Sequence, residues 1–485
     1  MTTRLFRILY VIVLSTPLIA LSQTITPGAD SVHISTSIKY SDPSFFKKII
    51  LGKNYRQEWE TPVTLPVFYI KNFDFKILEL GGGQQTKSLR MEDKRGREWV
   101  LRTIDKDVQK ALPLFLRNTL AKKVVQDMVS AAHPYSPLII PPLAKVMGII
   151  VPEPTFYYVP DDPAFGEHKD VFAHQVVMLE QREPTPDNSD TKSTASVVEK
   201  LFEENDHLVI QQAVLKARLL DMLIADWDRH ADQWRWGKFE TGGMDYYYAI
   251  PRDRDQAFFQ SKGLLVKIAR LIALRHMVGF RDDMKKMKQL NFKSWQFDRI
   301  FLNQLDRNKW DSTIKLSQAQ LTDEVIENAV KKLPPVIYAI NGQKITSKLK
   351  SRRNDMHRGI MDYYEFLAVD PEITGTDDAE IFRIKSEGNL LTITVFDKKD
   401  GVEGRRFYKR SFDPDDTKII TVSGLGGKDA FIVEEGTSST IRLKFYGGEG
   451  DDTYDIKGNV RNKIYDSKEE DNQVINKNRS RIKIK

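Results

Sequence analysis

The sequence predicts an α+β fold in consecutive parts: a small α+β unit, a mainly helical unit and an all-β unit. Three observations predict it. Residues 31–185 mix short extended runs with one helical stretch, residues 186–369 are dominated by helical periodicity, and residues 370–467 show two-residue alternation broken by Gly and Asp turns. At 485 residues the chain suits about two or three domains. Its 41% hydrophobic and 29% charged residues exclude a disordered or membrane-saturated chain. A net charge of +7 over this length reads as a lysine-rich exterior, and nucleic acid is not expected as a partner.

The N-terminus carries its own signal. Arg4 and Arg7 precede an apolar run from Ile8 to Leu21, and small residues at Ala20–Ser22 sit at cleavage spacing, so residues 1–22 read as a secretory signal peptide. The expectation is an exported protein, periplasmic or associated with the outer membrane, with an envelope protein as a candidate partner. The chain has no cysteine, so an oxidising compartment would neither staple nor modify it through thiols.

In the first unit, ELGGGQQTKSLRMED and WVLRTIDKD predict a Gly-rich turn at Gly81, Gly82 and Gly83, a strand near Lys87–Met91, a hairpin turn at Arg95–Gly96 and a strand at Trp99–Ile104. Three glycines let backbone N–H groups approach phosphate oxygens. Leu116, Leu120, Val124 and Met128 then follow helical spacing, and VFAHQVVMLEQREP reads as a buried strand. In the second unit Asn205–Asp206 is expected to cap a helix through Leu208, Leu215, Leu219 and Met222. Further helices are expected at Gly263–Met277, Gln318–Leu333 and Ser347–Leu367, the last presenting SKLKSRR as a solvated face.

The densest chemistry lies in ADWDRHADQWRW (Ala225–Trp236) and IPRDRDQAF, each following an apolar run. Phosphoryl transfer needs a carboxylate near the acceptor hydroxyl, side chains for divalent ions and a cradle for the nucleotide. Asp228 is followed five positions later by Gln233, and a hairpin-like stretch leads to Asp253 or Asp255. Arg229 and His230 would brace the loop; whether Asp226 or Asp228 faces the site is open. The competing reading is an Asp–Arg–Asp salt-bridge network at a helix terminus, serving structure alone.

The string Asp228-Arg229-His230-Ala231-Asp232-Gln233 resembles the Asp-Arg-His-x-x-Asn catalytic loop of atypical kinases related to HipA-type and spore-coat CotH kinases, and of secretory-pathway kinases. The stretch from about Tyr55 to Phe258 also resembles a domain of exported or outer-membrane-associated Bacteroidetes proteins, often found beside a phosphoesterase domain or a surface-antigen barrel. These resemblances imply a two-lobed protein-kinase-like domain followed by a small all-β domain. They imply ATP with Mg or Mn, Asp228 as catalytic base with Arg229 and His230 around it, and Gln233 with Asp253 or Asp255 as metal ligands. Gly81–Gly83 would be the phosphate loop with Lys87 beside it, and MLEQR, from Met178, the connector under adenine. Arg102 would stand where kinases keep a lysine, with Asp127 as its acidic partner.

In the all-β unit, GLGGKDAFIV and YGGEGDDTYDI share a Gly-Gly-x-(Gly)-Asp turn that resembles the calcium-binding repeat of parallel β-rolls, making Asp451 and Asp452 candidate calcium ligands. A purely structural Gly-Asp turn is the alternative. The charged tail, residues 468–485, is expected to fray. Two function classes follow: an exported kinase-like phosphotransferase acting on an unknown acceptor, or a non-catalytic envelope scaffold or calcium-binding module.

Overall fold

The computed structural model describes residues 30–41, 43–82, 86–108, 114, 117, 119–272 and 274–484. The expected signal peptide and Gly83 lie outside the described residues.

Alternation along the strands decides which side chains of the first unit face inward. A five-stranded antiparallel sheet runs in the order Lys76–Gly81, Ser88–Glu92, Glu98–Thr103, Gln175–Gln181, Thr155–Val159. Leu89, Met91, Leu101, Val177 and Leu179 fill one face against Phe68 and Phe165. The opposite parity sends Arg102, Met178 and Glu180 to the other face. Gly96 turns the hairpin at φ 75°, and Asp93 Oδ1 accepts the N–H groups of Arg95 and Arg97 at 2.9 and 3.0 Å.

The second unit shares one core with the helix Ser136–Val146. Its principal helices are Gln211–Leu223, Arg307–Gln320, Asp323–Val330 and Gln343–Ala368. It also holds a four-stranded sheet built on the hairpin Trp234–Thr241 and Met244–Pro251, turning at Gly242–Gly243. Three helix expectations need correction. His207–Val209 is not helical, because it pairs in parallel with Asp245–Tyr247, and the helix starts at Gln211. The single helix expected over Gln318–Leu333 is two helices: the Thr322 side chain accepts the Val325 N–H and starts the second. The SKLKSRR cluster is not wholly a solvated face. Buried Arg352 donates to the carbonyls of Met222 and Leu223 at 2.6 Å each, satisfying the end of the helix that delivers the Asp228 loop.

Beyond the helix ending at Ala368 the chain forms a two-sheet β-roll. After an antiparallel meander over Glu380–Phe412, successive strands alternate between sheets and stack in parallel on the preceding coil. Between the sheets lie Phe382, Phe431, Phe445 and Tyr454. The tail does not fray. Gln473–Lys477 and Ser480–Ile484 extend both sheets in parallel, and Asn472 Oδ1 accepts the Asp452 N–H at 2.7 Å. Its charge content concealed this, because the coil is held by backbone pairing and Asn side chains.

The two Gly-Asp turns are rungs of one ladder. Asp429 Oδ1 accepts the Glu380 N–H and Asp452 Oδ1 accepts the Asp429 N–H, both at 2.8 Å. Gly424 and Gly447 are required beneath them: a Cβ there would lie 1.9 Å from Asp429 Oδ2 and 2.0 Å from Asp452 Oδ2. The calcium expectation for Asp451 and Asp452 finds no support in this geometry. Asp451 is exposed and paired with Lys428 at 2.7 Å, whereas Asp452 is buried in the ladder. Among the described residues, the ligating side chains that do converge lie elsewhere, at Glu204, Asp206 and His207.

Candidate active site

The helix Gln211–Leu223 ends in a turn through Ala225, at φ 55°, that throws the Asp228 loop back across the helix end. Asp221, fully buried in the last turn, accepts from Arg254 Nε at 2.8 Å, Arg218 at 3.1 Å and Arg229 Nε at 3.2 Å. Burial would raise its carboxyl, but the guanidiniums of Arg229, Arg254 and Arg218 outweigh burial and hold it below the ordinary carboxylate range. Arg229 also donates to the carbonyls of Arg252 and Asp253, and its guanidinium lies 5.0 Å over the Trp234 ring. Arg229 therefore positions the Asp-Arg-Asp turn relative to the loop. The middle arginine of that turn faces Asp221, and the two flanking carboxylates are left for the cleft.

That cleft, of about 80 Å³, lies between the polar face of the sheet and the helix Ser136–Val146. Arg102, Lys106, Asp253 and Asp255 line one side together with Met178 and Glu180, while Pro137, Ile140, Pro141 and Val151 are among its apolar residues. Arg102 lies 3.3 Å from Asp253 and 3.6 Å from Glu180, and Lys106 Nζ pairs with Asp255. Burial would raise Asp253, but Arg102 and Lys106 hold it below its ordinary value. Asp255 is pushed upward by burial and by the charges of Asp253 and Asp228, against Lys106.

Asp228 is part-buried in its loop, unlike exposed Asp232. It pairs with Lys293, whose ammonium sits 5.1 Å over the Trp227 ring. Asp226 lies behind it, accepting the Asp228 N–H at 3.2 Å, and burial pushes its carboxyl up to about 8. Two buried oxygens near this point have no hydrogen-bond partner among the described residues: Asp226 Oδ2 and Gln233 Oε1. These are oxygens of the type a hard divalent cation accepts, but neither lines the cleft with Asp253 and Asp255.

Several site expectations change. Asp127 does not meet Arg102; it pairs with buried Arg56 and with Lys47 at 2.7 Å. Arg102 takes Glu180 instead, its neighbour on the adjoining strand. His230 does not brace the loop: its side chain is 40% exposed, with Nδ1 3.6 Å from Asp232. Met178 does line the cleft, but from within the strand Gln175–Gln181 rather than from a connector after it. Gly82, at φ 121°, passes tightly over Thr86, where a Cβ would lie 2.3 Å from the Thr86 oxygen. Thr86, rather than Gly81 or Gly82, reaches the cleft, and Lys87 bonds Thr103 through its backbone. Sequence reasoning missed Asp221, Lys106 and Lys293. Glu180 was within reach, since it shares the parity of Met178; Lys106 and Lys293 arrive from loops with no local pattern.

No family model and no curated protein matches the chain. Solved structures with a partial likeness include the Helicobacter pylori proinflammatory kinase CtkA, at 9% identity and TM-score 0.31, covering 57% of this chain and 95% of that one. Another is Shewanella oneidensis HipA with HipB and operator DNA, at 12% identity and TM-score 0.30, covering 70% and 75%. A third is the Chaetomium thermophilum Rio2 kinase–ADP/Mg²⁺–phosphoaspartate complex, at 11% identity and TM-score 0.27, covering 66% and 83%. Likenesses this low carry no functional argument. The fold itself is α+β: an antiparallel five-stranded sheet packed with a mainly helical part, followed by a β-rich C-terminal part.

Proposed function

We propose that the protein is an exported kinase-like phosphotransferase that moves a phosphoryl group from a nucleotide to a hydroxyl of a protein, glycan or lipid acceptor. The observation that carries this reading is the cleft in which Arg102 and Lys106, from the sheet side, meet Asp253 and Asp255 of the turn. Two cations and two carboxylates at the foot of a part-apolar cleft suit a polyphosphate and its counter-ion, with Met178 beside the base. Gln233, Asp253 and Asp255 would hold Mg or Mn, which supplies charge neutralisation when bound. Asp228 would accept the proton of the acceptor hydroxyl as its oxygen bonds the terminal phosphorus and the bond to the nucleoside diphosphate breaks. Lys293 would lie beside the transferred charge. Arg102 and Lys106 would draw the phosphates, though arginine differs from lysine in reach and hydration.

One observation favours a second reading, a non-catalytic envelope scaffold. The carboxylates that would hold metal are already ion-paired, so the network is electrostatically complete as it stands. The experiment is a thermal-stability series with ATP plus Mg²⁺ or Mn²⁺, alongside ATP turnover. The phosphotransferase reading expects an upward shift in the wild type, lost in Asp255→Ala, and retained without turnover in Asp228→Ala. No shift in the wild type leaves the scaffold reading.

A further inference from the structure

The helix Leu264–Ile272, which follows the Asp-Arg-Asp turn, is amphipathic in the wrong sense for a soluble surface. Leu264, Leu265, Ile268, Leu271 and Ile272 form one stripe at helical spacing, and all are exposed, Leu271 and Ile272 by 74% and 77%. The residue it buries is Val266. The helix Phe45–Leu51 repeats the pattern: Phe45 and Phe46 are each 74% exposed, with Ile49 and Ile50 beside them, while Leu51 is buried. The two helices are locked side by side, since a Cβ at Gly263 would lie 2.4 Å from the Leu51 carbonyl carbon. They therefore present one continuous apolar patch, larger than scattered surface residues would give.

Charge identifies the occupant. Segments 43–54 and 260–277 carry seven lysines and arginines and no carboxylate. Lys47 reaches inward to Asp127, and Arg270 lies against the Phe259 ring. Exposed aromatic and aliphatic side chains on segments that carry cations and no carboxylate match a bilayer interface with anionic headgroups, where the apolar stripe enters the acyl boundary and the cations stay among the phosphates. A second copy docked through the same patch would set cations against cations. We propose that this two-helix face docks on an anionic phospholipid bilayer.

The patch adjoins the candidate site: Trp227, next to Asp228, packs on Phe259 and His276, which flank the helix at either end. Docking is read without nucleotide, so it stands or falls separately from phosphotransfer.

The test is flotation of the full chain with vesicles of phosphatidylcholine alone or mixed with phosphatidylglycerol. Binding is expected to the mixed vesicles, to weaken with salt, and to fall by about tenfold in Leu271→Ser/Ile272→Ser and in Lys262→Glu/Lys267→Glu. Unchanged thermal unfolding verifies that each variant is folded. Four results overturn the proposal: no flotation, equal binding to both vesicle types, variants that float like the wild type, or a dimer that Leu271→Ser/Ile272→Ser abolishes while vesicles stay unbound. Variants floating like the wild type would assign the membrane contact to another segment, such as the apolar run at residues 8–21.

Discussion

The cleft and the β-roll both bury carboxylates at turns rich in Asp, yet they use them oppositely. In the cleft each turn carboxylate meets a cation, Asp253 with Arg102 and Asp255 with Lys106. In the roll each carboxylate meets backbone N–H groups and, beyond them, another carboxylate: burial, with Glu380 and Asp452 nearby, pushes Asp429 up to about 9. Glu380 and Asp452 are likewise pushed up to about 7, chiefly by burial. Burial therefore does not say whether an acidic cluster is a site. At these two clusters the partner differs: the cleft carboxylates face Arg102 and Lys106, whereas the ladder carboxylates accept from backbone N–H groups as structural rungs.

The sharpest break of this comparison is expected at Asp221. Its removal takes the carboxylate from buried Arg229 and Arg254, while Arg218 keeps Asp298, and Asp221→Ala should cost about 3–5 kcal/mol in denaturant unfolding. A smaller loss should follow at the cleft: Asp255→Asn should lower ATP turnover by about a hundredfold (about 2.7 kcal/mol) while the fold persists by circular dichroism. If turnover is unchanged, Asp255 belongs with the rungs.

The roll should then show the opposite sign of pH dependence to a salt bridge. Its three acids have folded values above their unfolded ones, so the folded state holds protons that the unfolded state releases. Their penalty is absent below about pH 4 and grows as pH rises, up to about pH 7 for Glu380 and Asp452 and about pH 9 for Asp429. The melting temperature of the roll should therefore fall by about 5 °C from pH 5 to about pH 8, and Asp429→Asn, which keeps the acceptor oxygen, should flatten the curve. The smallest effect is expected at His230. His230→Ala should change stability by less than about 0.5 kcal/mol and leave turnover near wild type, because the ring is partly exposed and touches no candidate group.

Much of the architecture was legible because it follows local periodicity. The sheet hairpin over Ser88–Thr103, the long helix Gln343–Ala368 and the alternating strands after Asp370 could be placed from the sequence to within a few residues. The Asp228 and Asp253–Asp255 bursts were legible as polar residues ending buried elements. What escaped were pairings between distant segments. Asp127 follows Arg102 along the chain and looked like its partner, but Arg56 reaches it first. Asn472 looked like part of a loose tail until a preceding coil offered the Asp452 N–H. The break at Thr322 escaped because helical composition continues on both sides of it.

By itself the sequence determined the α+β class, the order of the parts, and the grouping of carboxylates at Asp226–Asp228 and Asp253–Asp255. Tertiary structure alone decided which carboxylate met Lys106, which met Lys293 and which stayed unpaired, and it turned the apolar stripe of Leu264–Ile272 outward. The physical reason is range. Periodicity and turn chemistry act over a few residues and are written locally, whereas charge pairing and burial depend on which surfaces the whole chain brings into contact.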